Sequence, residues 1–354
     1  MGQFHLGGEP YYSPFLILEK DKFDYKTYFK EKYPSYLPTY THGGYYSIRL
    51  IVKHILDEVK NTKILVPAYT CPTVLDAIKS ENIDYGFYNV NDKLEIDIQD
   101  LSSKLSVNVN AILFINYFGF PQSDATYDLL NEQKQKGIRI IEDNVQSCFS
   151  DLAPVGDYIF NSFRKFTPFD GSVIMSKKAM ENSRGTNSKY NFNKRIGQWL
   201  RYLNYHSIFT TDKSAQRFLS ISSRNYYSDN ILGFNSSNRT MIKKLNIQDQ
   251  NTQRKNNFKI LSEHFSSYAF YGNLPDNIVP LVFPISIDNR NDVRNELMKH
   301  KIFCPVHWNL PEEINEKDYP SCVNLSKRIL SIPINGKIDE EVIAIIKSSI
   351  EKYN

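Results

Sequence analysis

Between residues 45 and 175, short apolar runs alternate with stretches whose apolar residues recur at helical spacing, and this alternation limits the folds open to the chain more than any other feature. Ile48, Ile51, Val52, Ile55, Leu56 and Val59 share one face of a helix over 45–59, entered through Thr41-His42-Gly43-Gly44. The runs 63–66, 85–90, 111–116, 138–141, 157–160 and 172–175 read as strands, with 72–79 and 124–135 as helices between them. Strands this apolar are covered on both faces. The pattern therefore predicts an α/β fold whose large domain is a mostly parallel sheet sandwiched by helices, with ligand sites beyond the carboxyl ends of its strands.

The second half is divided differently. Residues 181–237 are rich in Asn, Ser, Tyr and Arg, and only a helical piece at 196–203 stands out there. A helix at 251–265, a strand at 279–285, a helix at 292–299, a strand at 302–308 and closing helices at 325–330 and 339–352 then describe a smaller C-terminal α/β domain. The expected division is a large domain over 1–240, including an N-terminal segment and the variable insertion, and a small domain over 241–354. Long polar insertions in compact domains tend to carry function.

With 354 residues, 41% of them hydrophobic, the chain can bury a sizeable core. Its formal charge of +4 is spread among scattered acidic and basic residues, a pattern that gives no footprint for nucleic acid and leaves room for a small anionic substrate. No run of about 18 apolar residues occurs and the opening residues lack a leader pattern, so the expectation is a cytoplasmic protein with no membrane partner. The four cysteines, Cys71, Cys148, Cys304 and Cys322, form no CxxC pair, which argues against a metal centre or a disulfide framework.

The chemistry is concentrated in two segments. Glu142-Asp143 closes a strand and is followed by Asn144-Val145-Gln146-Ser147; Asn161-Ser162-Phe163-Arg164-Lys165 follows another strand and leads to Asp170-Gly171. A loop lysine can form an imine with an aldehyde, and a carboxylate at a neighbouring strand end can hold a ring nitrogen protonated, so Lys165 and Asp143 suit an electron-sink cofactor. A lysine serves this purpose when burial or an adjacent cation lowers its pKa. Gly43 and Gly44, just ahead of a helix, suit a phosphate at that helix's N-terminus.

These segments, together with Val66-Pro67-Ala68-Tyr69-Thr70-Cys71-Pro72, Asn116-Tyr117-Phe118-Gly119-Phe120-Pro121, Gly156-Asp157, Arg254 with Asn257-Phe258, and the run from Leu325 to Pro333, resemble the DegT/DnrJ/EryC1/StrS group nearly end to end. That group comprises pyridoxal-phosphate enzymes of the aspartate-aminotransferase-like fold type I, which mostly aminate nucleotide-linked ketosugars. The resemblance implies that Lys165 binds pyridoxal 5'-phosphate covalently and moves the proton, that Asp143 pairs with the ring nitrogen, and that Gln146 lies near the ring hydroxyl. It also implies that Ser162, Gly43 and Gly44 hold the phosphate. Asn235 matches an asparagine that a neighbouring subunit gives to the phosphate, which implies a homodimer. Cys71 stands where many relatives stack an aromatic ring on the cofactor, with Tyr117 as a possible substitute, and His307 and Trp308 fall where substrate would lie.

The activity so implied is transfer of an amino group from glutamate to a nucleotide-diphosphate-linked ketosugar, in surface polysaccharide or glycoside biosynthesis. Lys165 separates the chain from the family's dehydratase branch, which has histidine there. Cys71, Ser172 in place of a second glycine, and a lysine-to-glycine spacing one residue short all depart from the family pattern. They leave open a different reaction on the same fold, such as a lyase or an amination of a non-sugar carbonyl, and a silent relative that binds sugar nucleotides without turnover.

Overall fold

The computed structural model describes residues 5–353 apart from 106–107, 182, 184, 207 and 209–211; residues 1–4, the start of the segment read as lacking a leader, lie outside the described residues. Its strands are β1 (Leu6–Gly7), β2 (Leu37–Thr41), β3 (Lys63–Pro67), β4 (Asp84–Tyr88), β5 (Val109–Ile115), β6 (Arg139–Asp143), β7 (Tyr158–Phe160), β8 (Ser172–Ser176), β9 (Phe283–Ser286), β10 (Ile302–Phe303) and β11 (Ile329–Ile332). Seven of them form one sheet in the order β2-β8-β7-β6-β5-β3-β4. Only β8 runs against its neighbours, being antiparallel to both β2 and β7. The expected mostly parallel sheet is therefore present.

The helices are α1 (Tyr25–Lys32), α2 (Gly44–Glu58), α3 (Pro72–Lys79), α4 (Ile98–Lys104), α5 (Asp124–Gln135), α6 (Ser188–Tyr205), α7 (Asp212–Arg224), α8 (Ser236–Lys243), α9 (Ile247–Phe265), α10 (Arg290–Lys299), α11 (Pro320–Arg328) and α12 (Glu340–Glu351). In α2 the residues Ile48, Ile51, Val52 and Ile55 are all buried, as their spacing requires. Each contributes roughly 1.5–3 kcal/mol relative to an exposed side chain. Starts are set locally: Pro72 occupies the first turn of α3, where its missing N–H costs nothing, and Ser123 caps α5 by accepting from the Thr126 amide at 3.3 Å.

β9 and β11 pair antiparallel with Phe283 opposite Ile332, and β1 pairs parallel with β10, so the N-terminal segment is joined to the C-terminal layer. Several expected boundaries move here. The strand expected over 279–285 begins at Phe283, and that over 302–308 stops at Phe303, ahead of Pro305. The helix expected over 325–330 ends at Arg328, because Ile329 to Ile332 find strand partners on β9 and tertiary pairing overrides local propensity.

The insertion, unassigned apart from 196–203, contains two helices packed closely side by side. Asn187 caps α6 by accepting from the Tyr190 amide at 2.9 Å. Gly197 lets α7 approach, since a Cβ there would lie 2.7 Å from Leu219 Cγ. At Gly171 the backbone has φ +156°, and a Cβ would lie 2.2 Å from the Phe234 ring. We expect Gly171→Ala to cost about 3 kcal/mol in denaturant melts, combining backbone strain with overpacking. Gly137→Ala, where φ is +93° but nothing lies within 4 Å of the added atom, serves as the control and should cost about 1 kcal/mol.

Candidate active site

Successive residues of a strand face opposite sides of a sheet, and the end of β6 uses both. Glu142 turns into the structure and accepts from Val155 N at 3.0 Å, Gly156 N at 2.9 Å, Asn144 Nδ2 at 2.9 Å and Asn116 Nδ2 at 3.3 Å. Burial raises its carboxyl pKa and these donors draw it back; the side chain is an anchor for the surrounding loops. Asp143 faces the other way, into a narrow cavity lined also by Gly44, Tyr45, Cys71, Gln146, Ser162, Arg164, Lys165 and Trp308. Its Oδ1 accepts from Val145 N at 2.9 Å. Burial raises its pKa to about 7 against the opposing pull of the Val145 amide and of Lys165.

Lys165 ends a 3-10 turn, Phe163–Lys165, between β7 and β8. Buried Phe163 fixes the turn from below, and its amide donates to Gly171 O at 2.9 Å, which ties the lysine to the Asp170-Gly171 corner. The Lys165 side chain is half-buried and reaches the cavity opposite Asp143. Desolvation lowers its pKa and the Arg164 charge lowers it further. Among the described residues no ion pair joins Lys165 to Asp143 within 4 Å.

The N-terminus of α2 opens on the same cavity. Gly43 is extended and a Cβ there would meet Tyr226 Oη at 2.5 Å, while one at Gly44 would lie 3.3 Å from Val145 Cγ2 and 3.8 Å from Ser162 Cβ. A side chain at either position would therefore fill a cradle below amides that have no intrahelical acceptor. The start of α2 is held by hydroxyls: Ser47 Oγ lies 2.7 Å from both Thr41 Oγ1 and Ser172 Oγ, and Ser172 Oγ also donates to Asn161 O. Ser172, unusual as a replacement for glycine, is thus the link between β8 and α2.

Gln146 accepts from Phe118 N through Oε1 at 2.6 Å, and its Nε2, buried in the cavity wall, has no partner. Cys71 caps α3 with extended backbone but without a side-chain bond, leaving its thiol on the cavity. Trp308 lines the cavity and packs against Tyr69 and Tyr117 at ring distances of 5.4 and 6.0 Å. Tyr117 lies behind it, donating to Tyr69 O at 2.7 Å and touching neither cavity. His307 bonds Ser331 Oγ through Nδ1 at 2.8 Å, and burial lowers its pKa to about 3, so it is neutral. Asn235 is set apart from both cavities and caps α8, accepting from Ser237 N at 3.0 Å and Asn238 N at 3.2 Å.

A second cavity of about 720 Å³ adjoins the first, sharing Arg164 and Lys165. Arg254, Arg294, Lys194 and His307 line it, with Glu9 as its carboxylate. Lys194 Nζ lies 2.6 Å from Asp170 Oδ2, to which Tyr190 Oη also donates at 2.9 Å. Behind them His42 is fully buried among the rings of Tyr46, Tyr190 and Tyr226; neither ring nitrogen has a partner, and burial lowers its pKa to about 4. Sequence reasoning missed Arg164, Tyr190, Lys194, Tyr226 and Arg294 as site residues. The i,i+4 spacing of Tyr190 and Lys194 was the available signal, obscured by the polar composition of the insertion.

No protein-family model matches the sequence, and none of the curated proteins does. Solved structures do match. A DegT/DnrJ/EryC1/StrS aminotransferase from Brucella abortus is 16% identical, covering 92% of this chain and 88% of its own, with a TM-score of 0.63. The sugar aminotransferase CalS13 from Micromonospora echinospora is 13% identical over 100% and 99% of the two chains, at 0.65. Spr1654 from Streptococcus pneumoniae, in its PLP-form, is 13% identical over 98% of each, at 0.68. The chain thus has the fold of type I aminotransferases.

Asp143 yields a test that needs no ligand. Its folded pKa of about 7 lies above the 3.8 of an unperturbed carboxyl. Between those values the folded protein keeps a proton that the unfolded chain has released, so this group's contribution to stability falls as pH rises from about 4 to 7. Asp143→Asn retains an acceptor for Val145 N without the buried charge. In urea melts of the unliganded protein, the variant should exceed wild type at pH 8 by on the order of a few kcal/mol, and the gap should close by pH 4.

Proposed function

We propose that the protein is a pyridoxal-phosphate-dependent aminotransferase that moves an amino group, with glutamate as donor, onto the keto group of a nucleotide-linked sugar. The observation that carries this reading is the unpaired Lys165 amine facing the buried Asp143 carboxylate in one cavity. The cavity fits the cofactor on two further counts: Gln146 Nε2 lacks a partner, and Gly44 leaves room at the N-terminus of α2.

Asp143 and Gln146 would face the ring, while Ser162 and the first amides of α2 would take the phosphate. Pyridoxal phosphate, when bound, supplies an aldehyde for the lysine and a ring that accepts the electron pair left when a proton leaves the substrate carbon. Lys165 Nζ is the group that would take and return that proton, and its lowered pKa favours the neutral amine that this requires. Asp143 holds the positive charge of a protonated ring nitrogen, which in turn favours its ionised form. Trp308, backed by Tyr69 and Tyr117, keeps water from that side of the cavity.

The larger cavity supports an anionic sugar nucleotide, because Arg254 and Arg294 spend only one donor each on backbone carbonyls, those of Leu281 and Cys304 at 2.7 and 2.8 Å. Five basic side chains, Arg164, Lys165, Lys194, Arg254 and Arg294, against one carboxylate would also suit the dicarboxylate donor. A homodimer in the cytoplasm completes the reading. Among the described residues no helix is long and apolar enough to cross a membrane, and no cluster of residues could hold a metal ion.

The test is the visible spectrum of wild type and Lys165→Ala with added pyridoxal phosphate, before and after glutamate. Wild type should develop a yellow band that glutamate bleaches, and the variant should not. Failure of wild type to take up the cofactor would overturn the reading. Uptake without 2-oxoglutarate formation, with or without ketosugar, would remove transamination from it.

A further inference from the structure

Apart from Lys165, Arg164 is unlike the other cations around the site. Lys194 is paired with Asp170, and Arg254 and Arg294 each bond a backbone carbonyl. The Arg164 guanidinium carries five donors, yet among the described residues it makes no hydrogen bond or ion pair. It rests 5.1 Å from the centre of the Tyr226 ring, is exposed, and lines both cavities.

Its position is set from two sides. The 3-10 turn sends Phe163 into the core and Lys165 toward Asp143, leaving the residue between them directed elsewhere. Tyr226, which carries the guanidinium on its face, presses its hydroxyl against Gly43, the residue that opens α2. Arg164 therefore shares one cavity wall with Gly44, Tyr45 and Ser162.

A phosphate placed there must be neutralised. A helix N-terminus supplies about half a charge, and a buried dianion needs more. Lys165 is committed to the aldehyde, and Asn235, which is uncharged, spends its side-chain oxygen on the first amides of α8. Asp170 attracts Arg164 but does not bond it, and its Oδ2 is held by Lys194 and Tyr190.

Resting on the proposed cofactor, we infer that Arg164 is the phosphate's cationic ligand, supplied from within the chain beside the cofactor lysine itself. The two adjacent side chains then divide one ligand between them: Lys165 holds its aldehyde end and Arg164 its phosphate end. A planar fork suits this task better than an ammonium, since it can offer parallel donors to two phosphate oxygens.

The experiment compares pyridoxal phosphate with pyridoxal, which lacks the phosphate, by equilibrium titration of wild type, Arg164→Gln and Arg164→Lys. Removing Arg164 also raises the pKa of Lys165, but this affects both ligands alike and cancels in the ratio of their affinities. Arg164→Gln should weaken pyridoxal phosphate roughly 10- to 100-fold relative to pyridoxal, as expected for lost charge-assisted bonds. Arg164→Lys should fall between, and inorganic phosphate should compete with the cofactor less effectively in Arg164→Gln than in wild type. Thermal melts without ligand establish that the variants fold; should Arg164→Gln fail, the Arg164→Lys ratio decides. Equal weakening of both ligands, or unchanged binding with a raised donor KM, would overturn the role of Arg164 alone. Absence of uptake by wild type would overturn the cofactor with it.

Discussion

A half-buried amine and a buried carboxylate that share one cavity without being paired to each other set the terms for the rest of this structure. Each such group costs several kcal/mol when desolvated, and an ion pair would be the ordinary relief. Here Asp143 relieves part of the cost by holding a proton up to about pH 7, and Lys165 by a lowered pKa. Both remain open to a ligand. The surrounding fold must supply the stability that the pair does not, and the fully buried strands β7 and β8, β6 from Ile140 onward, and the four donors on Glu142 are where it does so.

Charge around that pair falls into three groups. His42 and His307 are buried, and burial keeps their rings unprotonated. Lys194 and Asp170 cancel, with the Tyr190 hydroxyl on the same carboxylate oxygen. Arg164, Arg254 and Arg294 face the 720 Å³ cavity with donors to spare. The insertion builds much of this arrangement: Tyr190 and Lys194 come from α6, and Tyr226 follows α7. A segment with no assignable role in the sheet thus shapes the wall that a substrate would meet.

The mostly parallel sheet and its flanking helices were legible because their signals are local. Spacing in α2, proline and serine at the starts of α3 and α5, and runs such as Ile140-Ile141 leading to Asp143 all lie within a few residues of what they determine. That Lys165 and Asp143 share one cavity was to be expected for a different reason, the resemblance of their flanking segments. What failed depends on distant partners: Ile329 becomes strand because β9 is beside it, and β1 is defined only by β10. Arg164 stood in plain view beside Lys165. Nothing in the sequence told that Tyr226, over sixty positions away, would hold it against the start of α2.

The central claim is that Lys165, among all the lysines of the chain, is the residue that binds pyridoxal phosphate. Borohydride reduction of the protein with a single equivalent of the cofactor, followed by proteolysis and peptide mass spectrometry, tests it directly. The account predicts one phosphopyridoxyl group, on the peptide containing Phe163, Arg164 and Lys165 and at Lys165 itself. Label scattered over exposed lysines such as Lys178, Lys299 and Lys337, with Lys165 unmodified, would contradict it.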